Sequence, residues 1–140
     1  MKNIYFIPTY YYDSIDIFKR ISSSLEDDVR KIYLDTGDYF FRDEQKGPEI
    51  IKKNKLDLFF DQMHTFDFPN HSSNKIKHIY NMLKYKNAIN KIFKKYKPSL
   101  IITTGDRNNF YKIISRLSNK APIIIFQHAL IHKFYYDIKN

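Results

Sequence analysis

The chain has 140 residues, with 24 lysines and arginines against 15 acidic residues, a net charge of +9 and no cysteine. That length is one domain by the usual prior, able to bury roughly two thirds of its unfolded surface. A hydrophobic share of 43% with 28% charged residues excludes wholesale disorder, and the missing cysteines exclude disulfides, thiolate metal sites and cysteine nucleophiles.

The apolar run at residues 4–7 is too short for a secretory signal, and nothing approaches the length of a membrane span, so a cytoplasmic location is expected. The positive balance favours an anionic partner, whether nucleic acid, a phosphorylated substrate or an acidic membrane surface. Lysines that merely solvate helix surfaces account for the same balance equally well.

Residues 3–7 (Asn-Ile-Tyr-Phe-Ile) are apolar almost throughout, which suits a central strand ended by Pro8-Thr9. Tyr10, Tyr11 and Tyr12 read as a loop, and Asp13-Ser14 opens a helix whose inner face is Ile15, Phe18, Ile21, Ser22 and Leu25. Residues 29–34 read as a second strand, closed by the loop Asp35-Thr36-Gly37-Asp38. Gly47-Pro48 signals a turn before a short helix over residues 49–55 with Ile50 and Ile51 inward. Residues 56–60 are the expected third strand, ending in Asp61, and residues 62–73 the expected polar, partly aromatic loop.

A long helix is expected over residues 73–96. Its inner stripe is Ile76, Ile79, Tyr80, Leu83, Ile89, Ile92, Phe93 and Tyr96, with a change of phase near Lys86-Asn87 that implies a bend or slightly different neighbours there. Lysines 91, 94, 95 and 97 crowd its carboxyl end, where cations suit the helix dipole, and Pro98 stops it. The fourth strand is 100–102 and the fifth 123–126. Phe110, Ile113, Ile114 and Leu117 mark one face of the helix between them. Residues 129–134 suit a short helix or strand, and 135–140 a frayed end.

Strands alternating with helices imply a single Rossmann-like α/β domain over residues 1–140, an open parallel sheet of about five strands in the order 3-2-1-4-5 with helices on both faces. Such sheets bind ligands at the carboxyl ends of their strands. Those ends carry Thr104, Gly105, Asp106 and Arg107 after the fourth strand, and Gln127 and His128 after the fifth.

Gly105 lets the backbone approach a ligand, and a helix amino end there favours an anion that Arg107 can clamp; Asp106 read alone is equally an N-cap. His128 can act as general base on a hydroxyl or contact a phosphate, or simply pack beneath the terminal segment. Only Gly37, Gly47 and Gly105 occur, so there is no dinucleotide fingerprint or Walker loop. His128 and His132 lack the glutamate and third ligand of a zinc site, and no metal or cofactor is expected. The triplet Asp35-Thr36-Gly37 reads as a turn, since an aspartic protease needs an all-strand body.

The run Lys97-Pro98-Ser99-Leu100-Ile101-Ile102-Thr103-Thr104-Gly105-Asp106-Arg107, a helix, and then Pro122-Ile123-Ile124-Ile125-Phe126-Gln127-His128 together resemble a known pattern. It is that of the amino-terminal half of GT-B glycosyltransferases of surface polysaccharide synthesis and of their relatives, the UDP-N-acetylglucosamine 2-epimerases. The resemblance is tight over residues 96–129 and architectural over 3–60. It implies an acceptor-side domain whose strand ends face a cleft, closed by a second domain that binds the nucleotide sugar.

The expected partners are therefore a nucleotide sugar, held through a donor half that this chain lacks, and a hydroxyl acceptor of lipid-linked type near an anionic membrane. Nucleic acid is the less favoured partner. On this resemblance His128 accepts a proton or contacts phosphate, Asp106 orients the hydroxyl, Arg107 clamps an anion, and Thr9 and Gly105 shape the cleft. Ala129 and Leu130 stand where the epimerases carry a glutamate, which argues against epimerase chemistry, and Ala129 replaces the transferases' usual glycine. A non-catalytic basic module for RNA or a protein partner is the alternative.

Overall fold

A computed structural model describes residues 1–8, 11–35, 47–66, 74–104 and 109–126, with the backbone only at 11–14 and 109–111. The elements run β1 (Lys2–Ile7), α1 (Tyr11–Ser24), β2 (Val29–Asp35), α2 (Gly47–Asn54), a 3-10 turn (Leu56–Leu58), β3 (Gln62–Thr65), α3 (Lys75–Lys95), β4 (Leu100–Thr103), α4 (Asn109–Leu117) and β5 (Ile123–Ile125). The strands form one five-stranded sheet in the order β3-β2-β1-β4-β5, every neighbour parallel. This is the doubly wound α/β arrangement expected from the alternation of strands and helices.

Alternation along each central strand divides the core into two layers. Ile4 and Phe6 of β1, Tyr33 of β2 and Ile102 of β4 face Ile15 and Phe18 of α1 and Ile50 of α2. Tyr5, Ile7, Ile32, Leu34 and Ile101 point the other way, against Ile89 and Phe93 of α3 and Ile114 of α4. Strands buried on both faces must be apolar at nearly every position, and β1 and the latter half of β2 are. Edge-to-face rings tighten both layers, Phe6 on Phe18 and Phe60 in one, Tyr5 on Phe93 in the other.

Four expectations are corrected. Residues 56–60 are not a strand: Leu56 and Phe60 are buried while Leu58 is 73% exposed. An i, i+4 pair that shares a face with its middle residue outside is the period of a helical turn. The third strand is instead Gln62–Thr65, within the expected polar loop. An edge strand has one neighbour and half-buried faces, so it does not need a continuous apolar run. Asp61 sets its register, its N–H donating to the Lys31 carbonyl at 2.9 Å and its carboxylate accepting from the Lys31 N–H at 2.8 Å.

The second correction concerns the start of α1, which takes in Tyr11 and Tyr12 rather than leaving them in a loop. The third is that Asp35 ends β2 instead of opening a loop.

The fourth concerns α3. Asn74 caps it, its side-chain oxygen accepting from the Ile76 and Lys77 N–H groups. Ile89 and Phe93 are buried as expected, with Ile92 and Tyr96 packed beside them. Ile76, Ile79, Tyr80 and Leu83 are exposed. Met82 and Tyr85 occupy the inner face in their place, so one face continues along the helix with no change of phase.

Candidate functional site

Parallel pairing carries the strand carboxyl ends to one side of the sheet. Ile7 pairs with Thr103 and Thr103 with Ile125, so β1, β4 and β5 finish level with one another. The Phe126 N–H donates to the Thr103 carbonyl at 2.9 Å and extends that ladder by one step. The winding reverses between β1 and β4, because successive strands run outward from β1 on one side and from β4 on the other. A reversal of this kind opens a crevice at the strand ends.

Of the residues singled out in the sequence, Thr104 is described: it is buried directly beyond β4, at the carboxyl edge of the sheet. Thr9, Gly105, Asp106, Arg107, Gln127 and His128 lie outside the described residues. In the sequence Thr9 follows β1 by two positions, and Gln127 follows Phe126 directly.

The same edge holds a residue that sequence reasoning passed over. Asp35, the last residue of β2, is fully buried. The Tyr33 hydroxyl donates toward its Oδ2 at 3.5 Å, and its backbone carbonyl accepts from the Phe66 N–H at 2.7 Å. Gly47, the first residue of α2, lies across it: a Cβ there would come within 3.1 Å of the Asp35 carboxyl and 3.0 Å of the Thr65 methyl. A buried carboxylate at a strand end costs desolvation, which singles it out from ordinary turn aspartates. The signal in the sequence was an acidic residue closing the short apolar run Ile32-Tyr33-Leu34.

A second concavity lies toward the amino ends of the strands, between β3 and the last turns of α3. It has a volume of about 460 Å³ and is walled by Gln62, His64, Lys91, Lys95 and Tyr96 over Met63 and Ile92. The His64 Nε2 and the Gln62 Oε1 are 3.2 Å apart. Burial, and then the charge of Lys95, holds the His64 imidazole below its usual range. The Tyr96 phenol is also held low, chiefly by a hydrogen bond with Gln62 and further by Lys95 and Arg30 against the opposing effect of burial. Arg30 stacks over the Tyr96 ring at 4.6 Å. Among the described residues no group of three or more histidines, aspartates and glutamates could hold a metal ion.

No protein-family model matches the chain, and no curated protein matches it. Among solved structures it is similar to the carboxy-terminal domain of a hydrogenase from Pyrococcus furiosus, at 14% identity and a TM-score of 0.51 over 89% of this chain and 90% of that one. A second crystal structure of that domain aligns at 13% identity and a TM-score of 0.48, over 89% of this chain and 88% of that one. At this identity the first likeness shows a shared α/β fold and says nothing of chemistry.

Proposed function

We propose that the chain is the acceptor-side half of a two-lobed glycosyltransferase, passing a sugar from a nucleotide diphosphate to a hydroxyl once a donor domain closes over it. The observation that supports this reading is the reversal between β1 and β4. It sets the ends of β1, β4 and β5 level, directly before the segments that carry Thr9, Gly105–Arg107 and Gln127–His128. In this reading the His128 imidazole takes the acceptor's proton as its oxygen attacks the anomeric carbon and the nucleoside diphosphate departs. Asp106 orients that hydroxyl, and Arg107 offsets the anionic charge.

The test joins the chain to a donor domain, the product of an adjacent reading frame being the first choice, and follows sugar release from the nucleotide. His128→Ala is expected to lower the rate by about a hundredfold or more. Equal rates for variant and parent would remove the role.

A non-catalytic basic module is the second reading. One observation favours it: α3 carries seven lysines in 21 residues and no acidic residue. RNA binding with a steep salt slope, together with no activity on nucleotide sugars beside a donor domain, would select it.

A further inference from the structure

The amino-terminal half of α3 presents four large apolar side chains to solvent. Ile76 is 80% exposed, Ile79 58%, Tyr80 67% and Leu83 53%. Their spacing of i, i+3, i+4 and i+7 sets them in one stripe over two turns, roughly 140° around the helix from the face that packs on the sheet. A folded chain leaves single apolar residues exposed without consequence, but four in one stripe are a surface with a use.

Charge identifies what covers it. At 100° per residue Lys75 and Lys86 flank the stripe on one side, Lys77 and Lys84 on the other, all four exposed. Beyond it the outward positions are Asn87, Asn90, Lys91 and Lys94. A second copy of the chain laid on this face would set lysine against lysine. The stripe is convex, so a protein partner would have to bring a groove, whereas a bilayer conforms to a convex helix. Long lysine side chains beside an apolar stripe reach up to phosphates while the stripe sinks, and a tyrosine suits the boundary between the two.

We propose that the first three turns of α3 are a peripheral anchor for an anionic lipid bilayer. Ile76, Ile79, Tyr80 and Leu83 enter the boundary of the acyl region, and Lys75, Lys77, Lys84 and Lys86 meet the lipid phosphates. The proposal stands whether or not the chain takes part in sugar transfer.

The test is sedimentation of the full chain with vesicles of equimolar phosphatidylglycerol and phosphatidylcholine, against vesicles of phosphatidylcholine alone. Binding is expected to the anionic vesicles only, to weaken as salt rises, and to fall at least about tenfold with Leu83→Glu. Lys52→Glu, on α2 at the opposite face of the sheet, should leave it within about twofold. The chain has no tryptophan, so Tyr80→Trp introduces a single reporter whose emission should shift to the blue on binding. Four results would each overturn the proposal: no vesicle binding, binding indifferent to Leu83→Glu, an unshifted tryptophan, or self-association through this face without vesicle binding. Circular dichroism of each variant checks that the fold is kept.

Discussion

The Tyr5 hydroxyl donates to the carbonyl oxygen of Tyr96 at 2.5 Å, joining positions 91 residues apart. Tyr5 lies in the middle of β1 with its ring against Phe93, and Tyr96 is the residue at which α3 ends. The bond therefore fixes where the last turn of α3 stops over the sheet. Asn3 supports it from the same strand: its amide donates to the Lys97 carbonyl at 3.0 Å and its side-chain oxygen accepts from Arg30 at 3.2 Å.

Tyr5→Phe removes that bond while keeping the ring. The expected loss is about 1–2 kcal/mol in denaturant unfolding, since the Tyr96 carbonyl is left without this partner. Burial holds the Tyr5 phenol well above its ordinary value of 10. A raised folded value means that the contribution is complete below pH 10 and is lost as pH climbs beyond it, because the unfolded chain ionises first. The parent should therefore lose stability above pH 10 faster than Tyr5→Phe.

His64 titrates in the opposite sense. Its folded value is depressed, so its contribution is present above the ordinary 6.5 and is lost as pH falls below it, when the unfolded chain takes up the proton first. Proton NMR of the ring should place its midpoint below 6.5. Lys95→Met should raise that midpoint only part of the way, because burial is the larger cause.

Gly47→Ala should destabilise by about 1–2 kcal/mol, as the new methyl presses on the Asp35 carboxyl and the Thr65 methyl. In an Asp35→Ala background the cost should shrink, and a double-mutant cycle measures the coupling. An unchanged cost would mean that α2 does not close over the end of β2.

The orientation of α3 can be read from two isoleucines ten residues apart. Ile89→Ala should cost about 2–4 kcal/mol as a core cavity, and Ile79→Ala less than about 0.5 kcal/mol, because one is fully buried and the other more than half exposed. Equal costs would contradict the observed face.

Sequence reasoning failed where two structures share one local pattern. Leu56, Leu58, Phe59 and Phe60 read as a strand because the stretch is mostly apolar, yet the turn they form carries Leu56 and Phe60 into the layer beneath α1 and α2. In α3 two apolar stripes compete, and periodicity alone does not say which one the sheet takes. The candidate site was legible in part. Pro98 to Thr104 did mark a strand, ending at the carboxyl edge of the sheet, whereas Asp35 looked like any turn aspartate until its burial was seen.

By itself the sequence determined the class and winding of the fold. Apolar runs as short as those of β1 and β4 can be satisfied only between two helical layers, and the alternation of strand and helix demands parallel pairing. Tertiary structure alone decided which edge strand completes the sheet, which stripe of α3 turns inward, and that Asp35 is buried beneath Gly47. Each of these depends on which surfaces meet across the chain, and local propensity carries no record of a neighbour tens of residues away.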